Sequence, residues 1–190
     1  KRNNYHIMSD LSKFLVEGIL LGEASSVKDL VVVYSGRFQP FHKGHFATYQ
    51  TLVKKFGKNN VYIGTSDKTD NQKSPFNFKE KVKVMTTMFG IPSNKIGQVK
   101  NPYAPTEILS KFNKETTAFI TVVGEKDSNR LGGKYFEKYK DSIELEGYVD
   151  RGYVFISPAQ PNAISGTDVR VGLRKGSTED KKDFFVKKAY

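Results

Sequence analysis

From residue 29 onward the chain alternates short, uninterrupted apolar runs with longer stretches in which apolar residues return at helical spacing. Residues 30–36, LVVVYSG, are an apolar run closed by glycine, the pattern of a strand buried on both faces of a parallel sheet. From His45, the residues Phe46, Tyr49, Leu52, Val53 and Phe56 keep a helical period, and VYIGT at 61–65 reads as a second strand. Residues 78–90, FKEKVKVMTTMFG, predict a helix with Val82, Met85, Met88 and Phe89 turned inward. The series continues with a strand at 95–99, a short helix over 106–112 and a strand at 118–124. After a polar, glycine-rich loop it closes with a helix around 135–139, a strand at 153–157 and a helix over 167–174. Strand–helix–strand repeats with crossovers of this length imply an α/β fold, a Rossmann-like doubly wound parallel sheet with helices on both faces.

Residues 1–29 stand apart as an amphipathic helical arm ahead of a single domain at 30–190. Ser9 is placed to cap a helix whose Leu11, Phe14, Leu15, Gly18 and Ile19 share one face. That face either packs on the domain it precedes or docks on another protein as a groove-binding anchor. FLVEGILLG at 14–22 has some look of a signal peptide, but Glu17 interrupts it and Lys13 flanks it. The chain opens on Lys rather than Met, which leaves a processed product or a piece of a longer chain open.

With 190 residues and no cysteine, the fold is held by packing, without disulfides or thiolate metal sites. The expected setting is cytoplasmic, and no apolar run approaches the roughly 20 residues that span a bilayer. Thirty-one Lys and Arg against 20 Asp and Glu give a formal charge of +11, which favours polyanionic partners such as phosphorylated small molecules. Nucleic acid is disfavoured, because no segment interleaves aromatic and basic residues as a base-stacking groove would. In the basic tail, Ser177 caps a helix with Asp180 as box partner, while Phe184 and Phe185 pack and the lysines face water.

In open parallel sheets ligands bind beyond the carboxyl ends of the strands, where strand order reverses. SGRFQPFHKGH, at 35–45, follows the first strand directly. Gly36 permits a sharp turn, Pro40 stiffens the loop, and Gly44 lets a helix start close to a ligand. His42 and His45 flank that helix's amino terminus, where free N–H groups and the helix dipole favour an anion. The segment lacks the glycine and lysine spacing of a Walker-type phosphate loop, and no third ligand nearby completes a metal site.

GRFQPFHKGH resembles the G-R-F-x-P-x-H-x-G-H stretch of the nucleotidylyltransferase superfamily, most closely the archaeal-type nicotinamide-nucleotide adenylyltransferases. SPFNFKEKVKVM at 74–85 is similar to that family's N-P-F-T-x-x-E-R-x-x-M segment, and ISGTDVR at 164–170 to its I-S-G-T-x-x-R segment. The resemblance implies transfer of AMP from ATP to nicotinamide mononucleotide or a similar phosphate acceptor, with release of pyrophosphate. It implies His42, His45 and Arg170 as catalytic residues, and Gly36, Arg37, Phe38 and Gly44 as nucleotide-binding.

Ser165 and Asp168 form a capping-box pattern, and Thr167 can itself cap. Together with Arg170, hydroxyls at a helix start also make a second anion cradle, so Ser165 and Thr167 join the nucleotide-binding set. VVGEKDSNRL at 122–131 lies where the family recognises adenine and ribose, which brings in Gly124, Asp127 and Arg130. Lys81 stands where the family has arginine, and serves either as a grip on the acceptor phosphate or as a solvated helix lysine. The resemblance implies an aromatic, often tryptophan, stacked on the acceptor ring; this chain has no tryptophan, and Tyr103 in NPYAP either takes that part or belongs to an ordinary turn.

Magnesium is expected to enter with ATP as its counter-ion. The alternative is cytidylyl transfer, or a catalytically silent module docked in a larger assembly through its N-terminal helix. Similar domains occur in large phages, which would place such a module in a virion or host cytoplasm. The family commonly forms oligomers, so a homo-oligomer is also expected.

Overall fold

The computed structural model describes residues 27–125, 127, 131, 133–158, 165–174 and 177–184. The amphipathic arm, apart from its last residues, lies outside them. Six parallel strands form one sheet: β1 (Asp29–Ser35), β2 (Val61–Thr65), β3 (Ile96–Gln98), β4 (Thr117–Gly124), β5 (Phe136–Lys138) and β6 (Gly152–Ser157). Their order across the sheet is β3-β2-β1-β4-β6-β5. The chain therefore winds outward from β1 through β2 and β3, then returns to lay β4 on the other side of β1. The crevice at the carboxyl ends of β1 and β4 is the switch point.

Helices α1 (Lys43–Phe56), α2 (Phe78–Phe89), α3 (Thr106–Leu109), α4 (Gly166–Arg174) and α5 (Thr178–Phe184) connect and follow the strands. The central strands are apolar on both faces because both faces are covered. Leu30, Val32 and Tyr34 of β1 join Leu52 and Phe56 of α1 and Met85 of α2 in one cluster. Val31 and Val33 join Ile108 and Leu109 of α3 and Phe119 of β4 in the other.

Three local expectations change. Residues 136–138 form the edge strand β5 rather than a helix, paired with β6 through Phe136 and Gly152. A side chain at Gly152 would meet the Phe136 ring at 2.7 Å and the Tyr135 ring at 2.8 Å. Two aromatic rings thus lie across a glycine that only the fold brings under them. Met88 is 43% exposed rather than inward, because the buried stripe of α2 runs through Lys81 and Met85. The helix expected over 106–112 ends as α at Leu109, and a turn carried by the Phe112 N–H on the Leu109 carbonyl completes the segment. At the far end, Ser177 and Asp180 do form a capping box on α5. Of the two tail phenylalanines, Phe185 lies outside the described residues. Among the described residues no helix is long and apolar enough to cross a membrane.

Candidate active site

The first motif leaves β1 through Gly36 and enters α1 at His42. Phe38 adopts a φ of 45°, rare without glycine, and folds its ring back over Gly36, where a side chain would meet it at 2.7 Å. Phe38 is therefore a buried packing residue, set edge-on to the His45 ring at 5.0 Å. His42 is the N-cap of α1, in extended conformation, and the Phe46 N–H reaches its carbonyl to start the helix. Gly44 lies in that first turn.

The two imidazoles stack, with ring centroids 3.8 Å apart and planes inclined by 30°. The His42 backbone N–H donates to His45 Nδ1 at 3.4 Å. An accepting Nδ1 puts the proton of neutral His45 on Nε2, which leaves Nε2–H as a donor. His42 is only 3% exposed, and neither of its ring nitrogens has a partner among the described residues. Burial pushes the His42 pKa down to about 4, opposed in part by the Asp168 carboxylate. Burial, and then the neighbouring His42, push His45 down to about 3. The pair is neutral at pH 7, with His42 buried, His45 half-buried beside it and Asp168 the carboxylate that acts on His42, next to a helix amino terminus. An anion bound at that helix start would favour the protonated form of either ring.

The last motif meets this loop from the other end of the chain. Ser165 and Asp168 make the capping box, with the Ser165 N–H and Oγ donating to Asp168 Oδ2 at 3.0 and 2.6 Å, and the Asp168 N–H returning to Ser165 Oγ at 3.1 Å. The Ser165 hydroxyl is thereby engaged in the helix start. Arg170 Nη1 donates to the Gln39 carbonyl, and Nη2 to Thr167 Oγ1 at 3.1 Å. Gly166 lets the helix come this close, since a side chain there would stand 3.0 Å from the Gln39 carbonyl oxygen.

The middle motif is tied to the same loop. The Gln39 carboxamide donates from Nε2 to the Phe76 carbonyl at 2.8 Å and accepts the Phe76 N–H on Oε1 at 2.9 Å. Asn77 and Glu80 then cap α2 reciprocally, at 3.0 and 2.8 Å. One turn on, Lys81 is 1% exposed, which decides against the solvated lysine. Its Nζ donates to the Ser66 carbonyl at 2.7 Å and to Thr65 Oγ1 at 3.3 Å. The Thr65 hydroxyl in turn donates to the Arg37 carbonyl at 3.3 Å. Burial holds the Lys81 ammonium below its ordinary pKa, opposed in part by Asp67.

These loops enclose a cleft of about 620 Å³ at the carboxyl ends of β1 and β4. Gly36, Arg37, Lys81, Tyr103, Gly124 and Asp127 line it. It is basic overall, with Arg37, Lys68, Lys81 and Lys100 against Asp70 and Asp127. Gln39 is in its wall and its carbonyl receives Arg170, but His42, His45, Ser165, Thr167 and Arg170 are not among the residues that line the cleft. At Gly124 a side chain would meet nothing within 4 Å, so the backbone is open to approach. Tyr103 also borders a second, apolar hollow of about 450 Å³ with Leu109, Phe119, Tyr135, Phe136 and Tyr148. Arg130 lies outside the described residues.

Sequence reasoning missed Gln39, Thr65, Lys68 and Lys100. Gln39 occupies an unassigned place in the first motif, and Thr65 ends an apolar strand. Neither carries a signal until the loops are folded together.

A family model described as cytidylyltransferase-like matches residues 33–172. Over 49 residues the chain is 37% identical to the nicotinamide-nucleotide adenylyltransferase of Methanolobus tindarius, covering 26% of this chain and 28% of that protein. Over 54 residues it is 37% identical to the enzyme of the same name from Methanocorpusculum labreanum, covering 28% and 32%. The match thus spans less than a third of either relative's length. Among solved structures, the chain is similar to a bifunctional NMN adenylyltransferase/ADP ribose pyrophosphatase from Francisella tularensis, at 20% identity and a TM-score of 0.48 over 80% of this chain and 43% of that one. It is also similar to the Plasmodium falciparum nicotinic acid mononucleotide adenylyltransferase, at 13% identity and a TM-score of 0.47 over 84% and 96%. The family match runs from within β1 to within α4, so the histidine pair, the buried lysine and the arginine cradle all fall inside it, and the chain belongs to the cytidylyltransferase-like family.

Proposed function

We propose that this chain is a nucleotidylyltransferase that moves AMP from ATP to nicotinamide mononucleotide, or a similar phosphate acceptor, giving NAD and pyrophosphate. The observation that carries this is the stacked, neutral His42–His45 pair at the amino terminus of α1, with the His42 ring nitrogens unpartnered among the described residues and Arg170 bonded to the same loop at Gln39. The names of the two archaeal relatives support the choice of adenylyl group and acceptor.

An acceptor phosphate oxygen attacks the α-phosphorus of ATP. The bond from that phosphorus to the bridging oxygen of the β-phosphate breaks, and pyrophosphate leaves with the electron pair. A phosphate nucleophile is already anionic at pH 7, so no general base is required, and catalysis is alignment plus stabilisation of phosphoryl charge. His45 Nε2–H and the His42 ring hold the reacting phosphate, and the α1 N–H groups and Arg170 hold the rest of the triphosphate. Gly124 and Asp127 face the nucleoside. Lys81 grips the acceptor phosphate, and Tyr103, between the cleft and the apolar hollow, stacks on the acceptor ring. Magnesium would enter with ATP and would neutralise phosphate charge.

The test is pyrophosphate release with magnesium, ATP or CTP, and nicotinamide mononucleotide, with His45→Ala as control. Dinucleotide formed from ATP and lost on the order of 10²- to 10³-fold in the variant is expected. Product from CTP alone selects the cytidylyl reading. Silence with every acceptor, in a protein that still binds ATP, leaves a binding or assembly module.

A further inference from the structure

Resting on that function, we infer that Gln39 is the positioning residue that sets the two halves of the cleft in line. It touches two motifs that lie far apart in sequence. Its side chain pairs with Phe76, 37 residues on, and its backbone carbonyl receives Arg170, 131 residues on. The nucleotide side of the cleft hangs on the carbonyl. The acceptor side, through Phe76, Asn77 and Lys81, hangs on the carboxamide.

The chemistry of the pair is specific. Phe76 presents both a backbone N–H and a backbone carbonyl, so its partner must donate and accept in one plane. A carboxamide does this, as a neighbouring strand would. Glutamate keeps the acceptor but sets a second anionic oxygen against a carbonyl, and methionine offers neither bond. Gln39 is 5% exposed, so water cannot take over both bonds without a rearrangement. Phe76 immediately precedes the Asn77 cap, and α2 carries Lys81 one turn later. A shift at Phe76 is therefore a shift of Lys81 relative to the histidine pair. Displacements of about 1 Å between reacting groups cost on the order of 10²-fold in rate.

The two attachments make the effect separable. Changing the side chain releases the acceptor half while the backbone carbonyl still holds Arg170. In Gln39→Met, and more strongly in Gln39→Glu, kcat is expected to fall ~10- to 100-fold and KM for nicotinamide mononucleotide to rise ~10-fold, while Kd for ATP alone stays within twofold. A purely structural role would move both ligands together and lower Tm in proportion. A ligand-free readout runs alongside: amide exchange at Phe76 should accelerate in Gln39→Met, with α1 unchanged. Unchanged exchange at Phe76, parallel losses for both ligands, or loss of the native fold in both variants would each overturn the assignment. A wild type that releases no pyrophosphate defeats the proposed reaction instead, and the exchange measurement still decides on Gln39.

Discussion

The imidazole of His42 lies 3.8 Å from that of His45, stacked, and the two cannot both be protonated without facing cation against cation in a buried site. With folded-state pKa values of about 4 and about 3, both rings bind fewer protons in the native protein than in the unfolded chain, where histidine titrates near 6.5. The unfolded state is therefore favoured as pH falls. The His42 contribution, on the order of 3 kcal/mol, is complete above pH 6.5 and is lost as pH falls toward about 4. Denaturant melts between pH 7 and pH 4 are expected to show this loss, and His42→Asn should flatten it.

Lys81 is a buried cation held at a cost to the fold. Burial lowers its pKa, so the empty protein holds an ammonium it would be easier to do without. Lys81→Met keeps the stem packing and removes the charge. Its stability at pH 7 should equal or exceed that of the wild type by up to ~1 kcal/mol, while KM for the acceptor rises ~10-fold or more. Thermal melts and initial rates, taken together, check both signs.

Ser165 joins helix start to arginine cradle. Ser165→Ala removes the hydroxyl that bonds both the Asp168 carboxylate and the Asp168 N–H. A loss of about 1 kcal/mol is expected for such a cap. Because Arg170 rides on the same helix, ATP Kd should weaken severalfold, measured by calorimetry. Thr167→Ala removes the contact to Arg170 without the cap, so it should weaken ATP binding with little change in Tm.

Gly147 provides a contrast away from the cleft. A side chain there would stand 2.3 Å from the Glu115 carbonyl oxygen and 2.7 Å from that of Lys114, both backbone atoms that cannot step aside. Gly147→Ala should cost ~2 kcal/mol or more by forcing these segments apart, and Tm should drop while KM values of the remaining folded protein hold.

Much of this molecule was legible in its sequence because the signals are short-range. Continuous apolar runs announced β1 and β4, and helical spacing announced α1 and α2. Ser165 with Asp168, and Ser177 with Asp180, announced helix starts by residues three apart that bond to each other whatever the rest of the chain does. The first motif was placed correctly beyond β1 for the same reason: a loop that follows a central parallel strand ends where ligands bind.

Tertiary structure decided what depends on distant partners. Residues 136–138 became a strand because β6 offered an edge and Gly152 left room for Tyr135 and Phe136 above it. Lys81, which motif position alone left open between a phosphate grip and a solvated lysine like Lys79 and Lys83, was buried because α2 turns that position toward Thr65 and Ser66. Gln39, a place without assignment in a short motif, was joined to Phe76 and Arg170 only when two loops and α4 met. Local spacing fixes which groups a segment carries. Which of them share a site is settled by the packing that brings residues 76 and 170 each within a hydrogen bond of residue 39.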